Sequence, residues 1–253
     1  MKNLTKRDAR VLDAIIKAVD SVAKPEFYKR RNRRLKLSDD DAIFQELAEL
    51  CSYSGAKSKR VSEMIKSGAL EKAFAGFRVR AASKLNSENV INDHWDKIKV
   101  MRFNSKVKKI IQAARKMEEI SKEYGSFEKY IKSFKIPKKV KNENALEKFW
   151  KNFDSLLTDL KKREVPIIKS QTTLLHFLET WMGCDCHKPD VVVMRIAKNT
   201  GLVLSDGKGG RRQMAKKVQE YCFDKEMNPR KVDFAGFWRP VRLDKICKEI
   251  LLS

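Results

Sequence analysis

An all-α fold is what the sequence predicts, and three observations carry the prediction. Apolar residues recur at helical spacing: between 107 and 121, Val107, Ile110, Ile111, Ala114, Met117 and Ile120 share a face, with Lys108, Lys109, Arg115 and Lys116 between them. No convincing run alternates apolar and polar residues over the length of a strand. Ten glycines and six prolines in 253 residues suit long helices with short connections.

The other elements follow from start signals and spacing. An N-terminal helix precedes the charged stretch Tyr28-Lys29-Arg30-Arg31-Asn32-Arg33-Arg34-Leu35-Lys36, which reads as a DNA-gripping arm or a solvated linker. Ser38, followed by Asp39, Asp40 and Asp41, starts a helix that Ile43, Leu47 and Leu50 continue. Asn86 or Ser87 caps a segment ending near Trp95. Asn142 or Asn144 opens a helix through Leu146, Phe149, Trp150, Phe153, Leu156 and Leu157, with Trp150 and Phe153 as core. Leu174 to Met182 is strongly apolar, Asp190 opens a helix through Val193, Met194 and Ala197, and 211–222 and 241–252 form two more. Three segments are expected: 1–37 as helix and basic arm, 38–204 as the core, and 205–253 as a helical extension packing on it.

Charge narrows the function. Lys and Arg number 56 against 33 Asp and Glu, a formal net charge of +23. Such an excess is self-repulsive in a compact chain, and a polyanion relieves it. Nucleic acid is the commonest such partner, through neutralised phosphates and released counterions. A generically Lys-rich surface is the alternative. The apolar fraction of 42%, with 13 Phe, 4 Trp and 5 Tyr, excludes a disordered chain. Five scattered cysteines are not a disulfide framework and point to a reducing compartment. With no leader-like apolar core and no stretch approaching eighteen apolar residues, a cytoplasmic monomer without membrane association is expected, on the nucleoid when bound to DNA.

The informative stretch runs from Val165 to Val203. It reads as a turn, a helix ending in Gly183, a short loop, Pro189-Asp190, and a helix carrying Val193, Arg195 and Gly201-Leu202. Here the chain resembles the helix-hairpin-helix DNA glycosylase superfamily, in which a catalytic Asp stands at this point. Upstream, Leu50-Cys51-Ser52-Tyr53-Ser54-Gly55, the Lys106, Ile110, Ala113 spacing and Gly125-Ser126-Phe127 with Tyr130 look closest to the 3-methyladenine DNA glycosylase I-like family. The resemblance covers roughly residues 40–204. It implies a two-lobed helical fold with a DNA-binding cleft between the lobes and duplex DNA as the partner.

The resemblance also implies roles. Asp190 is the catalytic carboxylate, because cleaving an N-glycosidic bond builds positive charge on the sugar. The target base must leave the stack and enter a pocket, for which Tyr53 and Trp181 are the candidates. Ser54 stands where the family fills the gap left by the flipped nucleotide. Lys57, Lys59 and Arg60 follow as phosphate contacts, with Lys169, Ser170 and Gln171 at the hairpin and Lys208 and Arg211 downstream. The hairpin, Pro166-Ile167-Ile168-Lys169-Ser170, lacks the family's two glycines. Gln171 stands where bifunctional members carry a nucleophilic lysine, and glutamine forms no Schiff base. A monofunctional enzyme in base-excision repair is the main expectation. A lyase using Lys169, a glycosylase acting on modified phage DNA in antiviral defence, and a catalytically silent DNA-binding protein are the alternatives.

Several features also have plain readings. Asp190 can be a helix N-cap alone. Cys184, Cys186 and His187, with Cys222 through the fold, invite a metal reading, but the spacing is tight and no second pair is near. The iron–sulfur cysteines of another branch and the N-terminal zinc-binding Cys and His of the resembled family are missing, so no metal and no cofactor are expected. Gly207-Lys208-Gly209-Gly210-Arg211-Arg212 is a basic turn touching DNA or a surface loop. His94, His176 and Trp238 read as structural.

Overall fold

The computed structural model describes residues 4–20 and 39–232. The arm at 28–36, the helix expected at 241–252, Trp238 and Cys247 lie outside the described residues. Among the described residues there is no strand, and no helix is long and apolar enough to cross a membrane. The chain forms two compact units that are not consecutive in sequence. One comprises residues 36–135 and 155–170, the other 1–35, 136–154 and 171–253.

The first unit is built around one long helix. Helix α1 (Lys6–Asp20) belongs to the second unit; here the chain runs through α2 (Asp40–Tyr53), α3 (Ser58–Lys66), α4 (Ala69–Ala73), α5 (Val79–Ala82), α6 (Ser87–Ile98), α7 (Ser105–Tyr124) and α8 (Phe127–Ser133). Helix α7 carries the periodic face read from the sequence, and Val107, Ile110, Ile111, Ala114, Met117 and Ile120 are all buried. Helices α2, α5 and α8 pack on it. Gly125, at φ 83, ends it in the left-handed conformation that glycine tolerates.

Three consecutive carboxylates tie these helices together. The Asp39 side chain accepts from Ala42 N and caps its own helix, so the start falls one residue beyond Ser38. Asp40 accepts from Phe127 N at 2.9 Å and from the Ser121 hydroxyl, holding the start of α8. Asp41 accepts from Val79 N at 2.7 Å and holds the start of α5. Asn86 caps α6, as its sequence position predicts.

Helix α9 (Glu143–Lys162) is continuous, yet its first part belongs to the second unit and its last turns to the first. Asn142 caps it by accepting from Ala145 N at 2.9 Å. In the first unit Arg163, just past its end, pairs with Asp159 and Glu123 and lies over the Tyr124 and Tyr130 rings.

The second unit adds α10 (Gln171–Thr180), α11 (Val191–Asn199) and α12 (Lys208–Asp224). The N-terminal helix is part of its core: Val11, Leu12 and Ile15 pack with Val193, Ile196, Met214, Val218 and Tyr221. Thr5 and Asp8 form a reciprocal cap at the start of α1, with Thr5 N donating to Asp8 at 2.9 Å and Asp8 N to Thr5 at 3.1 Å. Asp8 also meets Lys217 of α12 at 2.9 Å, with side chains only 4% and 7% exposed. Arg212 grips Asp154 through two 2.7 Å hydrogen bonds and stacks on Trp150. Trp150 in turn donates to Gln219 at 2.9 Å.

The Asp8–Lys217 pair yields a stability prediction. Burial pushes the Asp8 carboxyl up, but hydrogen bonds from Lys217 and Thr5 outweigh it and hold the group below its ordinary 3.8. A depressed folded-state value means the contribution is whole above that ordinary value and is lost as pH falls below it. Asp8→Ala strands a buried ammonium and is expected to cost about 3 kcal/mol or more at neutral pH. Urea unfolding from pH 7 down to pH 3 should show the gap between wild type and variant closing at the acid end.

Candidate active site

Asp190 stands at the end of the loop that follows α10. Its backbone is extended, and one carboxylate oxygen, Oδ1, accepts from Val192 N at 2.9 Å and Val193 N at 3.0 Å. The capping role is therefore realised, and it fixes the direction of the side chain. The second oxygen, Oδ2, takes no part in the cap and lies 3.6 Å from the Lys188 ammonium, with 28% of the Asp190 side chain exposed. One oxygen holds the helix, and the other, paired with Lys188, lies on the partly exposed side of the carboxylate. Lys188 was legible in the sequence only as a loop residue.

The glycine-rich basic turn is turned toward this loop. A Cβ at Gly210 would collide with the Ser205 carbonyl, so the turn packs onto the start of α12 in a way only glycine permits. That close approach delivers Arg211. Its Nη1 donates to Pro189 O and to the Thr172 hydroxyl, each at 3.3 Å, and its Nε donates to Asp206 O at 3.1 Å. Arg211 therefore joins the first turn of α10 to the residue preceding Asp190. The sequence reading gives it a DNA contact; the structure shows its guanidinium engaged within the chain. Lys208 is exposed at the same turn.

The glycine-free hairpin closes with a tight turn. Ile168 N donates to Pro166 O at 2.8 Å, and Ile167 between them sits at φ 71. This is the three-residue turn in its strained form, at a β-branched residue that rarely enters this region. Val165 and Ile168 are buried and anchor the turn, while Lys169 and Ser170 are exposed. Gln171 begins α10, and its side-chain nitrogen is buried without a hydrogen-bond partner among the described residues.

In the first unit, the remaining predicted residues gather where α2 ends and α3 begins. Tyr53 is 36% exposed, and Ser54, Lys57, Lys59 and Arg60 are exposed as well. Two cations hold the open end of α2. The buried Lys106 ammonium donates to Ser52 O at 3.1 Å and Ser54 O at 2.6 Å, and Arg102 donates to Gly55 O at 2.7 Å. Burial holds the Lys106 ammonium below its ordinary pKa and pushes the neighbouring Cys51 thiol up to about 11. Lys106 stands out in the sequence only through its helical spacing, and nothing local marks Arg102.

Trp181, expected in a base pocket, is 7% exposed and packs edge-on against Phe177 and His176 in the second unit. Its indole N–H has no partner among the described residues. Cys184, Cys186 and Cys222 are buried, and Cys186 donates to Leu175 O at 3.4 Å. Among the described residues no group of three or more His, Cys, Asp or Glu side chains is placed to hold a metal ion.

The hairpin strain is measurable. Holding a β-branched residue in this region costs roughly 1–3 kcal/mol, while a glycine adds about 0.5–1 kcal/mol of unfolded-state freedom. Ile167→Gly is thus expected to raise the unfolding free energy by about 1 kcal/mol in urea titrations. A clear loss would show that the turn is not strained.

Comparison with known proteins gives the lineage. The family model described as methyladenine glycosylase matches residues 32–185, most of the chain up to the loop before Asp190. Among solved structures, the chain is similar to 3-methyladenine DNA glycosylase I from Staphylococcus aureus. The TM-score is 0.51 and the identity 21%, over 68% of this chain and 92% of that one, a likeness of fold. A comparison with curated proteins finds no match. Helical architecture and family match agree: the chain belongs to the methyladenine glycosylase family of DNA glycosylases.

Proposed function

We propose that this DNA glycosylase acts in base-excision repair as a monofunctional hydrolase: it flips a damaged base out of duplex DNA and uses Asp190 to release it, leaving an abasic site. The observation that carries the reading is the division of labour at Asp190, one oxygen capping α11 and the other clear of the cap. As the glycosidic bond breaks, positive charge builds on the sugar. A carboxylate held in place beforehand stabilises that charge without reorganising, and the oxygen outside the cap can orient the attacking water. The solved relative's description concerns 3-methyladenine recognition, so methylated adenine is the first substrate class to offer.

The exposed cations at Lys57, Lys59, Arg60, Lys169 and Lys208 serve phosphates in this reading. Arg211 serves differently. With its donors on Pro189 O and Thr172, it acts through Asp190 as a positioning residue.

Asp190→Asn is the direct test. Asparagine keeps an oxygen for the cap and removes the charge. On duplexes carrying methylated, oxidised or deaminated bases, with alkali to reveal abasic sites, base release should fall by about 10²-fold or more. Release at the wild-type rate would overturn the assignment. For Arg211→Ala, single-turnover release should fall about tenfold while DNA affinity and its salt dependence hold. A phosphate contact would instead weaken binding to all sequences and reduce the salt slope by about 1.

A further inference from the structure

Lys188 faces the carboxylate that the glycosylase reading makes catalytic. Its Nζ lies 3.6 Å from Asp190 Oδ2, too far for a hydrogen bond and close enough for an ion pair. The two side chains are 27% and 28% exposed, and a pair so open to water is weak. Everything around the pair is fixed. Asp190 N donates to Lys188 O at 2.9 Å, and Arg211 Nη1 donates to the intervening Pro189 O at 3.3 Å. The cap amides hold Asp190 Oδ1. Asp185, the other carboxylate of this loop, is engaged with Lys139 and with Val140 N. What remains able to move is the Lys188 stem, four carbons long and freely rotating.

Left as it stands, this pair opposes the chemistry. Oδ2 has to face the positive charge that develops on the sugar. An ammonium 3.6 Å from it cancels part of its field and repels the same developing charge. The substrate carries the remedy. The reacting sugar has a phosphate on each side, only a few bonds from its anomeric carbon, so a sugar docked on Oδ2 brings a phosphate within reach of Lys188. We propose that Lys188 is an exchange clamp: it leaves Asp190 for a phosphate flanking the flipped nucleotide, and in one movement holds that nucleotide and uncovers the carboxylate. One ion pair replaces another, so the ammonium stays compensated throughout, and no covalent bond forms or breaks. The full charge of Asp190 is then presented only when a nucleic-acid backbone is seated beside it.

The inference rests on the glycosylase reading of Asp190, and its test needs no base release. The full chain is bound, over a series of salt concentrations, to a duplex holding a tetrahydrofuran abasic analogue. The phosphate 5′ or 3′ of the analogue is either ordinary or replaced by a neutral methylphosphonate. Lys188→Ala should reduce the salt slope by about 1, and Lys188→Arg should retain it. One of the two methylphosphonates should lower the wild-type slope by the same amount and change nothing further in Lys188→Ala, because the contact is already gone. Asp190→Asn removes the competing carboxylate, so it should tighten binding more with Lys188 present than in the Lys188→Ala background. Circular dichroism checks that each variant keeps its helices. An unaltered slope in Lys188→Ala, losses that simply add for both methylphosphonates, or equal tightening by Asp190→Asn in both backgrounds overturns the clamp. Non-additive losses beside a wild type that releases no base from any substrate would leave the clamp standing and remove the catalytic reading of Asp190.

Discussion

Each helix end leaves backbone amides or carbonyls without an intrahelical partner, and closing those ends is the constraint on which this structure depends. Charged side chains from elsewhere in the sequence close many of them. Asp40 and Asp41 take the first amides of α8 and α5. Arg115 takes the Ser83 and Leu85 carbonyls after α5, and Lys106 with Arg102 takes the end of α2. Arg7 reaches the Thr200 and Gly201 carbonyls at the end of α11, and Lys217 the Leu202 carbonyl beyond. Hydrogen bonds to ionised groups are roughly twice as strong as neutral ones. Most of these bonds also join elements far apart in sequence, so the caps are also tertiary fastenings.

The candidate site uses the same device. Asp190 is a cap whose second oxygen faces Lys188, and Arg211 fixes the carbonyl just before it. A residue that must present a carboxylate at a set angle gains from being tied to a helix start, because the two amides remove its rotamer freedom. In the first unit, rigidity comes from carbonyl caps instead. Lys106 and Arg102 set the turn bearing Ser54 against the one bearing Phe103, at the expense of a left-handed backbone at Arg102.

What the sequence disclosed divides along the same line. Caps made by a residue to its own helix were legible: Asn86, Asn142 and Asp190 stand where expected, and Asp39 one residue from the expected start. The signal is local, a short polar side chain before a periodic apolar run. Caps made across the chain were not legible, because nothing near Asp40 announces Phe127, and nothing near Arg7 announces Gly201. The docking of α1 into the second unit is of this kind, since its apolar face predicts burial without naming a partner. The internal contacts of the Gly207–Arg212 motif were hidden for a related reason. Its glycine answers a backbone approach by Ser205, and its arginines answer Pro189 O and Asp154, none of which composition encodes. At the hairpin the missing glycines were visible, but the response was not: the turn forms with isoleucine in the glycine conformation.

This division changes what a net charge of +23 means for DNA binding. Arg7, Arg102, Lys106, Arg115, Arg211 and Lys217 are occupied with carbonyls of the chain. A phosphate drawing them away would break these internal contacts. Lys57, Lys59, Arg60, Lys169 and Lys208 are exposed and in no ion pair among the described residues, so phosphates can neutralise them and release counterions without disturbing the fold. The salt dependence of binding should therefore follow the exposed set, and the total of basic residues overstates it. Charge of this kind grips any duplex equally. Selection of a damaged base therefore needs groups other than these exposed cations.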